Sequence, residues 1–257
     1  MHQHQPPEIS YVPLVSLKPL HTLNAFRASL GLGPSENLIS SAIDAKENQL
    51  ENSPAYQGDI SLRRNICAPI PDELNCRLWI TGLPKGCTVH KLLRCIRGIG
   101  PIFACHITRA NPTGAKAWDT AAASLTFFTA DAANYFLGQD AINPFTVEGH
   151  RTRIVRHRIR TESVCVGGRS RVLQIVGDAD VVRPGYLQRV IAEEWKIRFD
   201  TDFVRFCADE GRGVNEIIWA FGSFRAQAHI ICMKINKKFG GRARAIYISD
   251  PCVREGY

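Results

Sequence analysis

The chain has 257 residues, of which 45% are hydrophobic and 22% are charged, a composition typical of folded proteins and unlike that of fully disordered chains. No uninterrupted apolar run reaches the roughly 20 residues of a membrane-spanning helix, and the start MHQHQPPEIS lacks the regions of a secretory signal. The formal net charge of +8 favours a polyanionic partner. The charge is concentrated in residues 76–160, which hold 12 Lys or Arg against 4 Asp or Glu.

The first 65 residues are predicted to form an N-terminal arm that is partly helical and partly disordered. Residues 19–30 (PLHTLNAFRASL) carry leucine and phenylalanine at helical spacing, between a proline and a glycine. Ser35 is placed to cap a second short helix that ends near Leu50. Residues 51–75 contain three prolines and a glycine and are predicted to be loop.

A regular order of elements begins at Cys76. The alternation of apolar residues predicts a strand in RLWITGL, with Trp79 on the face away from the core. Further elements follow in the order β-α-β-β-α-β, the split βαβ pattern. After the first strand, the predicted elements are a helix at 88–98, strands at 102–108 and 121–128, a helix at 130–137 and a strand at 150–157.

The same order then repeats. Strands are predicted at 171–177, 203–206, 216–221 and 245–248, with helices at 185–195 and 224–239. The fold class is therefore α+β, with two ferredoxin-like βαββαβ modules whose antiparallel sheets are each backed by two helices. The predicted boundaries are an arm at 1–65, module 1 at 66–160, a linker at 161–170 (TESVCVGGRS), module 2 at 171–252 and a tail at 253–257.

Two segments of module 1, LWITGL at 78–83 and TAAASLTF at 120–127, resemble the two signatures of the RNA recognition motif (RRM) family. The first is similar to the hexamer on the first RRM strand, and the second is the best match to the octamer on the third strand. The wider pattern, with SRVLQIVG and WAFGSFRAQA, resembles tandem RRM proteins of filamentous fungi. The resemblance covers Ile66 to Cys252 and implies two RRM-like folds and a nucleic-acid partner.

The octamer departs from the family pattern where the family stacks bases. RRM proteins use two octamer aromatics and one hexamer aromatic for stacking. By register, Ala122 and Ser124 occupy the two octamer positions, and only Trp79 keeps an aromatic ring. Each lost stack removes about 1–3 kcal/mol of binding free energy. Module 1 is therefore expected to bind with modest affinity and to need a further source of attraction.

A basic segment, GHRTRIVRHRIR at 149–160, supplies that attraction. Strand alternation places Arg151, Arg153 and His157 on one side, and the strand is expected to fray near Arg156, which would leave Arg156, Arg158 and Arg160 free. Arginine suits phosphate because its planar fork makes bidentate contacts. The candidate RNA-binding residues are Trp79, Thr81, His106, Ser124, Arg151, Arg153, Arg156, Arg158 and Arg160.

Module 2 departs further from the family pattern. Gln174 occupies the aromatic position of its hexamer, and Glu216 and Ile218 occupy the stacking positions of its octamer. A carboxylate on that face repels phosphate and no aromatic is expected there as a stacking platform, so this module is predicted to support packing or to contact a protein.

Catalytic and metal-binding patterns do not account for the chain. LGLGPSE at 30–36 has neither the GxGxxG nor the GxxxxGKS/T spacing of nucleotide-binding loops. The sequence contains no other catalytic motif. Cys87, His90, Cys95 and Cys105 lack the paired spacing of a zinc site. The nine cysteines, an odd number without a secretory signal, predict reduced thiols in the nucleus or cytoplasm. We therefore expect no enzyme activity, metal or cofactor.

Two hypotheses about function remain open from the sequence. In the first, module 1 binds single-stranded RNA with low sequence specificity through its sheet and basic border. In the second, the chain is an interaction scaffold whose RRM-like folds are covered by protein and no longer bind RNA.

Overall fold

The computed structural model describes residues 67–113, 118–209 and 211–253. The predicted arm and its two helices lie outside these residues. The strands are β1 (Arg77–Leu83), β2 (Ile102–Thr108), β3 (Ala121–Phe127), β4 (Thr146–Val147), β5 (His150–Arg151), β6 (Arg153–Arg156), β7 (Val172–Asp178), β8 (Thr201–Asp209), β9 (Val214–Phe221) and β10 (Ala243–Tyr247). The helices are α1 (Val89–Leu93), α2 (Ala130–Ile142), α3 (Pro184–Arg189) and α4 (His229–Lys238).

The strands form two four-stranded antiparallel sheets and a short hairpin. Their spatial orders are β2-β3-β1-β6 in module 1 and β10-β7-β9-β8 in module 2, and β4 pairs with β5. In both sheets the first and third strands of the module are central and adjacent, as in the ferredoxin-like βαββαβ fold. The predicted fold class is confirmed.

The core of module 1 follows from the alternation in β1. Leu78, Ile80 and Leu83 are fully buried among the apolar residues of β3 and the two helices. Threonine begins both helices: the side chain of Thr88 accepts from the backbone of Lys91, and that of Thr129 accepts from the backbone of Ala132. Such caps satisfy backbone N–H groups that a helix cannot pair internally.

Several elements differ in length from the predictions. α1 ends at Leu93, and α2 continues to Ile142. Both helical segments of module 2 contain one π-helical turn, Val190–Glu194 after α3 and Phe224–Ala228 before α4. The predicted strand at 150–157 is divided into β5 and β6 at Thr152, whose backbone N–H and side-chain hydroxyl both donate to the backbone carbonyl of Phe145 (3.0 Å each).

The two modules share a buried ionic cluster centred on Arg171. The guanidinium of Arg171 donates two bonds to Asp250 (2.8 and 2.9 Å) and one to Asp202 (2.9 Å), and all three side chains are buried. Two groups of module 1 join them. The backbone N–H of Ile102 donates to Asp250 (3.1 Å), and Nδ1 of His90 lies 3.0 Å from Asp202. Burial alone would lower the pKa of Arg171, but the two carboxylates outweigh burial and raise it.

The segment after β10 contributes a residue to the core of module 1. Cys252 is fully buried and packs in the same apolar cluster as β1 and α1. Its carbonyl accepts from the backbone N–H groups of Ile99 and Gly100 (3.0 and 2.9 Å). The core of module 1 therefore includes a residue from beyond the last strand of module 2.

The edge strand β2 contacts module 2 directly. The backbone N–H of Cys105 donates to the carbonyl of Gly222 (2.8 Å), and Phe103 and Phe128 pack with Phe224 at ring-centroid distances of 6.0 and 5.4 Å. These contacts and the Arg171 cluster join the two modules into one packed body. No helix within the described parts of the chain is long and apolar enough to cross a bilayer.

Candidate nucleic-acid interface

The outer face of the module 1 sheet, which is turned away from the helices, carries Trp79 at its centre. Trp79 is half-buried, as the sequence predicted for a residue facing away from the core. It is paired with Ser124 of β3 on one side and with Val155 of β6 on the other. Both neighbours are small, so the indole is the largest side chain in the middle strands of this face.

His157 fixes one edge of the indole. The two ring centroids are 5.6 Å apart and the rings are nearly perpendicular, at 78°. The backbone N–H of Ile159 donates to Nδ1 of His157 (3.0 Å), which places the proton of the neutral imidazole on Nε2. Burial, together with the positive charge of Arg77, lowers the pKa of His157 to about 4. At neutral pH this ring is therefore an uncharged support for Trp79.

This low pKa predicts a pH dependence of folding. An unfolded histidine has a pKa of about 6.5, so between pH 6.5 and 4 the unfolded chain binds more protons and stability falls as pH falls. His157→Asn keeps a hydrogen-bond acceptor near the Ile159 N–H but does not titrate. We expect the variant to lose less stability than the wild type between pH 7 and pH 4.5 in urea unfolding. Equal losses in the two proteins would show that His157 does not titrate as described.

Arg77 occupies the side of the face where the octamer lost its aromatics. Its Nε donates to the hydroxyl of Ser124 (2.8 Å), and Ser124 and Thr126 are buried on this outer face. The guanidinium therefore lies beside Trp79 and is held by the residue that replaces a stacking aromatic. A cation so placed attracts phosphate without contributing an aromatic ring.

The other predicted residues of this face lie around the same centre. Thr81 pairs with Arg153, and His106 pairs with Ser124. His106, Arg153 and Arg151 are exposed. The backbone carbonyl of Arg151 lies beside Gly82, so Arg151 is at the end of the sheet opposite Arg77. Trp79 thus has cationic side chains near both ends of its strand.

The arginines at the end of β6 are not released as the sequence suggested. The strand ends at Arg156 as expected, but the expected release of Arg156 is wrong, because its guanidinium donates to the backbone of Asn75 (2.8 Å) and to the side chain of Asn134 on α2. Arg160 donates to Asp72 (2.8 Å). These two arginines hold residues 72–75 against the module and lie away from Trp79, whereas Arg158 is exposed.

Sequence reasoning missed three residues with a place in or near this face. His157 was recognised as sharing the side of Arg153, but its contact with Trp79 depends on pairing between β1 and β6. Arg77 lies within RLWITGL, and the sequence pattern does not distinguish it from the other basic residues of module 1. Trp118, in the loop between β2 and β3, is 43% exposed, and the signal available in the sequence was a tryptophan within a polar turn.

The outer face of module 2 has a different chemistry. Gln174 donates to the carboxylate of Glu216 (2.7 Å), and Ile218 lies beside them, as predicted. Strand alternation also places Phe203 on this face, with the Arg205 guanidinium 5.4 Å from its ring centroid. The expectation that this face lacks an aromatic therefore needs correction, although Arg205 already lies over that ring.

Three residues of the zinc set, Cys87, Cys95 and Cys105, belong to the apolar core of module 1 or pack against it. Cys87 and Cys105 are buried in the core, and His90 contacts Asp202. Across residues 67–113, 118–209 and 211–253, the structure contains no group of three or more side chains arranged to hold a metal ion. All nine cysteines are free thiols.

Comparison with known proteins found no matching family model and no matching curated protein. Among solved structures, RNA recognition domains 1 and 2 of Drosophila melanogaster Sex-lethal match at 17% identity with a TM-score of 0.24, over 68% of this chain and 100% of that chain. The first two RRM domains of the yeast poly(U)-binding protein match at 16% identity with a TM-score of 0.27, over 68% of this chain and 99% of that chain. The three N-terminal RNA-binding domains of the yeast splicing factor Prp24 match at 12% identity with a TM-score of 0.26, over 68% of this chain and 64% of that chain. By its own strand order, each of the two modules has an RRM-like fold.

Proposed function

We propose that the chain binds single-stranded RNA through the outer face of module 1, with modest affinity and low sequence specificity. Trp79 stacks on one base, and Arg77, Arg151 and Arg153 contact the phosphates on either side. Base stacking on an aromatic ring tolerates any base because each has a π-face. Phosphate contacts position the strand without reading its sequence.

The observation that carries this proposal is the position of Trp79. It is a half-buried indole at the centre of a sheet, paired with small neighbours and fixed at one edge by His157. A tryptophan that faces away from its own core offers a rigid apolar surface, and such residues are enriched where proteins meet their ligands. The surrounding cations select a polyanion as that ligand.

The phosphate contacts predict a specific salt dependence. Each contact with a single strand contributes about 0.7 to the slope of log affinity against log salt concentration. Replacing Arg151 and Arg153 with alanine should therefore lower the slope by about 1.4. Fluorescence anisotropy with a labelled mixed-sequence RNA between 50 and 200 mM salt measures this change.

Arg156→Ala and Arg160→Ala together provide the matched control. The same number of charges is removed, but these side chains are engaged with Asn75, Asn134 and Asp72. We expect lower stability and an unchanged slope. If the slope fell in the control variant and not in the variant without Arg151 and Arg153, the phosphate contacts would have to be assigned to the other side of the sheet.

The test should use the whole chain. A fragment ending near residue 165 would omit Cys252, which packs in the core of module 1, and Asp250, which accepts from Ile102. Loss of binding in such a fragment would report misfolding of module 1 and would leave the role of Trp79 unmeasured. The nine free thiols suit a reducing intracellular compartment.

We keep a protein partner at module 2 as a second candidate function, because its outer face exposes apolar side chains. Val176 is 38% exposed and Ile246 is 41% exposed, and each lies next to Gln174 or Glu216 in the pairing of the sheet. Val176→Asp with Ile246→Asp should abolish co-purification of a protein partner while RNA affinity is retained. Retained co-purification would exclude this face as the docking surface.

A further inference from the structure

The hairpin between β2 and β3 carries an exposed tryptophan outside the sheet. The backbone groups of Asn111 and Trp118 exchange two hydrogen bonds (3.1 and 3.0 Å), so the hairpin remains paired beyond the ends of the strands. The indole Nε1 donates to the carbonyl of Arg109 (3.3 Å). The ring is therefore anchored to its own hairpin, while 43% of the residue stays accessible to solvent.

From this arrangement we propose that Trp118 is a second base-stacking residue, for a nucleotide farther along the same RNA strand. This inference rests on the proposed function of module 1. The anchored Nε1 leaves the flat surfaces of the indole as the part that meets a ligand. A flat, rigid aromatic surface is what stacking on a nucleobase requires.

The hairpin continues β2 and β3, whose residues His106 and Ser124 lie on the RNA face of module 1. Thr108 of β2 pairs with Ala122 of β3 at the end of the sheet from which the hairpin extends. Trp118 precedes Ser124, the direct partner of Trp79, by six positions in the sequence. Extended chain rises about 3.3 Å per residue, which places the Cα atoms of Trp118 and Ser124 at most about 20 Å apart. At a stacked rise of about 3.4 Å per nucleotide, roughly six nucleotides cover this span.

The charges near Trp118 allow base stacking to be distinguished from phosphate binding. Arg109, whose carbonyl accepts from the indole, and Asp119, the next residue along the chain, are both exposed, and among the described residues these two charges offset each other. Removing the ring should weaken binding without changing the salt slope. The same change should affect long RNAs and spare short ones, because a short strand on Trp79 does not reach the hairpin.

The experiment measures the affinity of the whole chain for uridine oligonucleotides of 3 and 10 residues. For Trp118→Ala we expect a loss of about fivefold or more with the 10-mer, no loss with the 3-mer and an unchanged salt slope. Trp118→Phe keeps an aromatic ring and should retain most of the 10-mer affinity. Far-ultraviolet circular dichroism checks that each variant is folded.

The outcomes distinguish this inference from the proposed function. If Trp118→Ala binds the 10-mer as tightly as the wild type does, while Trp79→Ala binds both oligonucleotides more weakly, the role of Trp118 is overturned and the proposed function stands. An equal loss of Trp118→Ala at both lengths also overturns it, because the ring would then act through the sheet. If the wild type binds neither oligonucleotide, the proposed function and this inference both fail.

Discussion

Replacing Arg171 with methionine should lower the free energy of unfolding by about 3–5 kcal/mol, because it leaves two buried carboxylates without their shared cation. Arg171 donates three bonds to Asp250 and Asp202, and a fourth to the backbone carbonyl of Phe221 (3.0 Å). Both carboxylates also meet groups of module 1. We therefore expect the two modules to unfold in one transition in the wild type and to lose that cooperativity in the variant. Urea unfolding followed by circular dichroism and tryptophan fluorescence measures both effects.

Two comparisons make this result specific. Arg212→Ala removes an arginine that is paired with Asp209 at the surface (3.7 Å), and exposed pairs typically contribute less than about 1 kcal/mol. Replacing Arg171, Asp202 and Asp250 together with Leu, Asn and Asn removes all three charges, and this variant should be more stable than Arg171→Met. A small loss in Arg171→Met, similar to that of Arg212→Ala, would contradict the central role of the cluster.

Replacing Trp79 with alanine should weaken binding of single-stranded RNA about 5- to 150-fold, which corresponds to about 1–3 kcal/mol for one lost stack. Trp79→Phe keeps a ring and should lose less. Because Leu78 and Ile80 carry the core contacts of β1, the alanine variant should remain folded. Isothermal titration with a mixed-sequence RNA measures the affinity, and circular dichroism checks the fold.

Phe206→Ala is the matched control for the loss of an exposed aromatic ring. Phe206 is 48% exposed on β8 of module 2, on the side of that sheet away from its outer face. Its removal should leave RNA affinity unchanged. If the two substitutions weakened binding equally, the effect of Trp79→Ala would have to be ascribed to a general loss of apolar surface.

Local pattern was enough to predict the sheets and the position of Trp79. The strand RLWITGL alternates between core and surface and ends at a glycine turn, so its face assignment depends on neighbouring residues alone. The same reasoning placed Arg153 and His157 on one side. It was also enough to predict that Glu216 and Ile218 occupy the outer face of module 2.

Contacts with residues distant in the sequence determine the surroundings of several arginines, which the local sequence pattern could not predict. Arg156 is engaged by Asn75, 81 positions earlier in the chain, and Arg160 by Asp72, 88 positions earlier. A run of arginines looks solvated when those partners are unknown. Arg171 is buried only because Asp250 and Asp202 neutralise it from 79 and 31 positions away. Such long-range charge compensation leaves no periodic signal in the sequence.

Ultraviolet cross-linking of the whole chain to single-stranded RNA, with the attached peptides identified by mass spectrometry, tests the central claim most directly. Our account predicts cross-links at the peptide containing Trp79, and their loss in Trp79→Ala without loss of folding. Cross-links confined to module 2, or unchanged by that substitution, would contradict the claim that the sheet of module 1 is the RNA-binding surface.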